Sequence, residues 1–494
     1  MQYFLFYTED IMDKTNIAAT VGELRELLLK TDAASAKSGA LSARERVTGI
    51  FDEGTFTETA AFTSRRVSEF DDSTPDEFES VITGYGSVNG CLVYAFAQDI
   101  ARAKGSVSEA AAKKICAVYK LAIDNGCPIV GIFDSAGVYL PEGVRALAGY
   151  GMIMKAASQA SGVIPQIAVC AGVVQGAAAV IASMYDLAVV TEGSKISVNP
   201  PFIVGGGTAK DSVETGIAAY TAKNDAEAIA AVRDILAYLP SNNEEGGAEV
   251  LSGDEVNRHI AAAFGDAPSL VKSFADDGKY IELYADYAKS VSVGLISLAG
   301  VVCGIVASNP AENEGRLTSA AARKAAKFIS FCDCFQIPVI TLVDSEGFAV
   351  SGEEEKNPFC AEIGKLAGAY AMARTPLITL VSGAAYGSVF SVFGSKAIGA
   401  DIVFAVDTAK IGCMSAKSAV ALLWNDQITK DTTREDLEAK WDAEVASAVS
   451  AARAGEIDDI IESAEIRQRL ASAVLMLSGK SVAAPRRRHA NMPL

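Results

Sequence analysis

Two stretches of this chain carry the residue types that stabilise a developing negative charge without using a charged side chain: AGVVQGAAAV at 171–180 and SGAAYGSVFS at 382–391. In each, an apolar run breaks at a glycine and passes into small residues. A turn of that kind leaves a strand, opens a helix and directs several backbone N–H groups at one point, where the helix dipole adds positive potential. Such a nest suits an oxyanion. The candidate donors are the amides of Gly176 and Ala177 in the first stretch and of Gly387, Ser388 and Val389 in the second. Glycines that only permit tight helix packing would account for either bend taken alone. Two bends in matched contexts favour a chemical role.

Other chemistries are poorly supplied. No GxxxxGK followed by Ser or Thr occurs, and Gly84 and Gly86 lack the third glycine of a dinucleotide loop, Asn89 standing there. The two histidines, His259 and His489, lie in polar or basic surroundings, and no GxSxG elbow is present, which argues against a Ser-His-Asp hydrolase. Asp134 and Asp344 end β-branched runs and are expected to accept backbone N–H bonds rather than to act as acids or bases. The nine cysteines form no CxxC pair, so no metal centre is expected.

The net charge of −18 argues against nucleic acid as a partner. Residues 156–185 carry no charge, but Pro165, Gln166, Gly172, Gln175 and Gly176 interrupt the run, so it is read as strand, loop and buried helix, not as a membrane span. The opening MQYFLFYTED lacks the basic and apolar regions of a signal peptide, and a cytoplasmic location is expected.

The elements that must hold the two bends are themselves repeated. Gly90, Gly105, Pro128, Asp134 and Gly137 recur 210 positions later as Gly300, Gly315, Pro338, Asp344 and Gly347; Pro165 and Gly176 recur 211 later as Pro376 and Gly387. A repeat this long describes two equivalent domains, not a solenoid. The polar, acidic stretch SNNEEGGAEVLSGDEVNR at 241–258 is the seam, giving domains of 1–255 and 256–494. Strand-like PIVGIFDSAG and PVITLVDSEG alternate with helix-like EAAAKKICAVYKLAIDN and SAAARKAAKFISFCDCF, which predicts α/β domains with parallel pairing.

GALSARERVTGIFDEGTFTE, DSAGVYLPEGV, GVIPQIAV, FISFCDCFQIPVITLVDSEGF, AAYGSVF and the terminal RRRHANMPL together resemble the carboxyltransferase subunits of biotin-dependent acyl-CoA carboxylases and decarboxylases, of the propionyl-CoA carboxylase beta and methylmalonyl-CoA decarboxylase alpha type. The resemblance implies two tandem crotonase-like domains, each a β-β-α spiral, with acyl-CoA held mainly by the N-terminal domain and biotin by the C-terminal domain of a neighbouring subunit. It implies a homo-hexamer, and partner subunits that supply biotin carboxylase and a biotin carboxyl carrier, since the biotinyl AMKM signature is missing here. The bends then become two oxyanion holes, one for the thioester oxygen and one for the biotin ureido oxygen. Gly137, Tyr386 and Ser391 join them as ligand contacts, and the basic segment KSGALSARER offers Lys37, Arg44 and Arg46 for the CoA phosphates. The same segment also reads as the solvated start of an amphipathic helix.

The chain departs from the family pattern at several points. Ala136 and Tyr139 replace Gly and Arg of DSGGAR, Ser388 and Val389 replace the small residues of AYGGAY and are expected to crowd the biotin hole, Ser391 stands where many propionyl-CoA enzymes have Asp, Glu346 replaces a proline, and 204–212 looks shortened. The main expectation is a carboxylase subunit. A sodium-pumping decarboxylase subunit is the alternative, and a crotonase-type hydratase or a noncatalytic scaffold are further ones.

Overall fold

The computed structural model describes residues 22–28, 41–66, 78–200, 203 and 205–483. Lys37, the tail RRRHANMPL and most of the acidic loop at 69–80 lie outside the described residues. Contacts divide the chain into two compact units, 1–237 with 241–243 and 238–240 with 244–494. The change of unit falls inside the polar seam, some residues ahead of the boundary placed after 255.

In the first unit the strands run β1 (Thr57–Thr59), β2 (Val81–Val88), β3 (Cys91–Gln98), β4 (Ile129–Ser135), β5 (Gln166–Gln175), β6 (Leu187–Thr191), β7 (Lys195–Ser197) and β8 (Tyr220–Ala222). The sheet order is β1-β2-β3-β4-β5-β6-β8, with β7 attached to the far end of β5. The first three strands pair antiparallel and the rest parallel. Helices α1 (Ala43–Ile50), α2 (Glu109–Asn125), α3 (Val144–Ala160), α4 (Ala177–Ser183), α5 (Ala209–Glu214) and α6 (Asp225–Leu236) connect and cover them. Local chemistry sets their ends. Ser42 and Glu45 form a capping box on α1; Ser108 caps α2, which stops at Gly126 in the left-handed conformation.

The second unit repeats the plan. After α7 (Ala267–Phe274) come β9 (Ile281–Leu283), β10 (Val291–Leu298), β11 (Val301–Ser308), α8 (Ser319–Cys334), β12 (Val339–Ser345), α9 (Phe359–Met372), β13 (Leu377–Tyr386), α10 (Ser388–Val392), β14 (Ile402–Val406) and β15 (Lys410–Gly412). Then follow α11 (Ala416–Leu423), α12 (Arg434–Glu444), α13 (Ala448–Arg453), β16 (Asp459–Ile461) and α14 (Ile466–Leu477). The order β9-β10-β11-β12-β13-β14-β16, with β15 on β13, mirrors the first sheet.

The uncharged run at 156–185 resolves into the end of α3, β5 and α4, as its composition predicts, and among the described residues no helix is long and apolar enough to cross a membrane. Its apolar side chains fill the core beside Phe96, Tyr119, Phe133 and Tyr185, with Phe133 edge-on to both Phe96 and Tyr185 at 5.5 Å between centroids.

One irregularity prepares the site. Along β4 and β5 the register advances from Phe133↔Cys170 to Ser135↔Val174, so β5 carries extra residues and bends away to meet β7. Asp134 occupies the space: its Oδ1 accepts the Val173 amide at 3.1 Å, and a Cβ on Gly172 would lie 2.3 Å from that oxygen. The second unit does the same with Asp344, whose Oδ1 accepts the Ala384 amide at 2.8 Å over Gly383. Both aspartates therefore satisfy backbone donors, on the neighbouring strand rather than in the following loop.

Candidate functional site

Each bent strand ends at a glycine in a backbone conformation that side chains resist. Gly176 has φ +63° and ψ −130°, and Gly387 has φ +64° and ψ −150°. Each then starts a short helix whose first amides have no helical acceptor. The Gly176 amide donates to the Ser197 carbonyl of β7 at 2.9 Å, and the Gly387 amide donates to the Gly412 carbonyl of β15 at 2.9 Å. This corrects the expectation that these two glycines are themselves donors to a ligand. Their role is conformational: a third strand grips the glycine amide and turns the next ones outward.

The amides of Ala177 and Ala178, and of Ser388 and Val389, donate to no protein acceptor among the described residues. Beside each bend runs the loop after the preceding strand. A Cβ on Gly137 would lie 3.9 Å from the Gln175 carbonyl, and one on Gly347 would lie 3.9 Å from the Tyr386 carbonyl. These loops are held by bridges, Val107 to Val138 and Leu317 to Phe348, which engage the atoms of Gly137, Tyr139, Gly347 and Ala349. The amides of Val138 and Phe348 are thereby left on the opposite side, again with no protein acceptor among the described residues. The sequence reading missed these two. The signal for them was present: an apolar residue after each of two glycines matched at 210 positions.

The side chains around the second bend depart from expectation. Val389 is fully buried, so it packs inward and does not crowd the nest; Ser388 and Ser391 share the exposed side of α10. Tyr386 is 5% exposed and packs with Trp441, Ala416, Ala419 and Ala446, which makes it part of the wall and not a ligand contact through its ring. Burial, then Asp442, Glu346 and Asp344, push its phenol pKa well up. Burial also raises the Asp344 carboxyl above the ordinary range, against the Ala384 amide. Near the first bend a cleft of about 310 Å³ is lined by Ser197, Asn199, Gly205, Gly207, Asp211 and Thr215.

The proposed phosphate cations fare worst. Arg46 is 6% exposed, with Nη1 2.7 Å from Asp134 Oδ2 and Nε 3.0 Å from Asp225 Oδ2. Burial works against its charge, but the two carboxylates outweigh burial and hold its pKa above the usual arginine value. A guanidinium so engaged cannot also serve a phosphate. Arg44 pairs with Glu58 at 2.7 Å. Capping of α1 and the bulge at Asp134 direct Arg46 inward, and the basic segment is structural among its described residues.

With this geometry in place, comparison with known proteins is decisive. The carboxyl transferase domain family matches residues 34–492. The chain belongs to this carboxyl transferase family. It is 34% identical over 485 residues to the carboxyltransferase subunit of propionyl-CoA carboxylase from Haloferax mediterranei, covering 92% of this chain and 94% of the relative. It is 35% identical over 486 residues to the methylmalonyl-CoA decarboxylase subunit alpha of Propionigenium modestum, with the same shares, 92% and 94%. Among solved structures, the transcarboxylase 12S hexamer with methylmalonyl-coenzyme A and methylmalonic acid bound superposes with a TM-score of 0.90 at 28% identity, over 97% of this chain and all of that one. The carboxyl transferase thus has the tandem crotonase-like α/β fold that its sequence suggested, and it is an enzyme of the carboxyltransferase class.

Proposed function

We propose that this carboxyl transferase is the carboxyltransferase subunit of a biotin-dependent acyl-CoA carboxylase, moving CO2 between carboxybiotin and the α carbon of an acyl-CoA of the acetyl or propionyl class. The observation that carries the reading is the pair of matched nests, each with unsatisfied amides on a helix start and on the facing loop. Such donors are aligned before the reaction, so they favour the charged state without reorganising. In the unit of residues 1–255 the amides of Val138 and Ala177 would hold the thioester oxygen, with the cleft at Ser197 and Gly205 as room for the ligand. In the unit of residues 256–494 those of Phe348 and Ser388 would hold the ureido oxygen, beside Ser391.

The residues at the second nest suit biotin. Its ureido group is uncharged and needs donors rather than a counter-ion, and two amides with an exposed Ser388 offer that. When bound, biotin supplies the carboxyl carrier that the chain's own side chains do not provide. It would arrive on a separate carrier protein, with a biotin carboxylase subunit as the other partner and a homo-hexamer as the core, in the cytoplasm. The likeness to transcarboxylase 12S, described as a hexamer bound to methylmalonyl-coenzyme A, supports the assembly and the substrate class. The equal likeness to a methylmalonyl-CoA decarboxylase alpha subunit supports a second reading, in which the same site runs in the decarboxylating direction on a sodium-pumping complex.

The test is biotin dependence. Purified protein given free biotin or a biotinylated carrier should decarboxylate malonyl-CoA or methylmalonyl-CoA, and should fail to do so without biotin. Hydration of crotonyl-CoA in the absence of biotin would contradict the reading.

A further inference from the structure

The loops that carry Val138 and Phe348 are held by the same bonds save one. The turn Asn313–Gly315 ahead of α8 matches Ala103–Gly105 ahead of α2. The Glu346 amide donates to the Glu314 carbonyl at 3.1 Å, as the Ala136 amide does to the Lys104 carbonyl at 3.0 Å. The Leu317 amide donates to the Gly347 carbonyl at 3.1 Å, as the Val107 amide does to the Gly137 carbonyl at 3.0 Å. Gly347 and Gly137 each donate their amide to a serine hydroxyl two residues back, Ser345 and Ser135. The exception is the carbonyl just ahead of each glycine. That of Glu346 accepts Arg316 Nη1 at 3.2 Å, whereas that of Ala136 accepts no protein donor among the described residues. Ser106 holds the place of Arg316 210 positions earlier, and its hydroxyl turns back to the Ala103 carbonyl at 2.6 Å.

Arg316 is placed for this bond. Its side chain is 27% exposed and Nε pairs with Glu314 Oε2 at 3.1 Å. A Cβ on Gly347 would lie 3.8 Å from Nη1 and 3.9 Å from the Tyr386 carbonyl. The guanidinium therefore lies on the side of Gly347 that faces the end of β13, where the chain bends at Gly387. Its bond to the Glu346 carbonyl is charge-assisted and so stronger than one between neutral groups. The Phe348 amide, the nest donor on this loop, shares its peptide with the Gly347 carbonyl. Gly347 has φ +125°, and without a side chain it restrains poorly the two peptides it joins. Leu317 fixes the second of those peptides, and Arg316 fixes the first.

We propose that Arg316 is a positioning residue of the second nest: by gripping the Glu346 carbonyl it sets the Glu346–Gly347 peptide and, through Gly347, the aim of the Phe348 amide at the oxygen that gains charge there. The inference rests on the carboxyltransfer reading above. Arg316 touches no reacting atom in this scheme. It contributes by keeping a donor aligned before the charge develops, which is the condition under which such a donor accelerates a reaction. Of two nests built on one plan, the second alone has acquired this side-chain brace.

The experiment is kcat for biotin-dependent decarboxylation of malonyl-CoA, with calorimetric affinity for malonyl-CoA alongside, in the wild type, Arg316→Met, Arg316→Lys and Glu314→Gln. Arg316→Met keeps the apolar stem and loses the donor; its kcat should fall about tenfold, less than the outright removal of an oxyanion donor. Its affinity for malonyl-CoA, which the first nest serves, should stay at the wild-type value and so reports that the variant is folded. Arg316→Lys, which keeps a charged donor on a long stem, should recover most of the loss. Glu314→Gln breaks only the ion pair to a carboxylate that is 68% exposed and should keep the wild-type kcat. Wild-type kcat in Arg316→Met, an equal loss in Glu314→Gln, or a loss that comes with weakened malonyl-CoA binding would overturn the assignment and leave the carboxyltransferase reading standing. Absence of biotin-dependent turnover in the wild type would overturn both.

Discussion

Lys324 on α8 and Lys114 on α2 occupy matched places in the two units, and both are buried against backbone oxygen. Lys324 Nζ donates to the carbonyls of Tyr284 and Tyr287 at 2.8 Å each, and Lys114 Nζ to the carbonyl of Val81 at 2.7 Å. Burial pulls their pKa values down to about 7 and about 8, against partial opposition from Glu282 and Asp286 in one case and Glu58 and Glu79 in the other. Between the folded value and the ordinary lysine value of 10.5, the unfolded chain binds the proton that the folded one has lost. Stability therefore rises with pH across that window, and the cost of the buried charge is fully present below about pH 7. Chemical denaturation at about pH 7.5 and 9.5 should show the wild type gaining stability, with each such lysine contributing up to ~1.4 kcal/mol per pH unit. Lys324→Met should gain less by that share, and an equal gain would show that Lys324 does not titrate there. Arg46 gives a second prediction at this scale. Arg46→Met leaves the buried Asp134 and the partly buried Asp225 without their cation and should cost about 3–5 kcal/mol, typical of breaking a buried pair. In the folded fraction the KM for acyl-CoA should stay at the wild-type value; a raised KM with unchanged stability would restore Arg46 to the ligand site.

At the scale of elements, the strand, bend and helix around each nest were legible because apolar runs, a glycine and small residues follow one another twice in register. The backbone role of Asp134 and Asp344 was legible for the same reason. Which amides remain available was not. That depends on β7 and β15, three-residue strands that grip Gly176 and Gly387 through the carbonyls of Ser197 and Gly412, and such short strands carry little periodicity of their own. The basic segment misled for a related cause. Arginine on a helix start reads as solvated unless its partner is known, and Asp134 and Asp225 lie 88 and 179 residues away from Arg46 in the chain. Val389 was expected to crowd a site because its position was known and its direction was not; its side chain turns into the core.

Over the whole molecule, duplication supplies two nests with the same backbone plan, and divergence then distinguishes them: Glu346 stands at the repeat position of Ala136, and Arg46 of the first unit is tied into its core. An enzyme that must stabilise two different oxyanions in one transfer gains from such an arrangement, since each hole is preorganised separately. The central claim is that Ala177 and Ser388, the first helical residues after the two glycines, donate their amides to those oxyanions. Proline is tolerated at a first helical position, where its missing N–H breaks no helical bond, and the preceding glycines hold ψ at −130° and −150°, outside the region proline disfavours. Ala177→Pro therefore removes one N–H and little else, and Ser388→Pro removes one N–H together with an exposed hydroxyl, whose share Ser388→Ala reports. The direct measurement is the rate of biotin-dependent malonyl-CoA decarboxylation by these two folded variants. Each should fall by on the order of a hundredfold, as for the loss of one oxyanion donor, with calorimetric acyl-CoA affinity kept in Ser388→Pro; wild-type turnover in either folded variant would contradict the account.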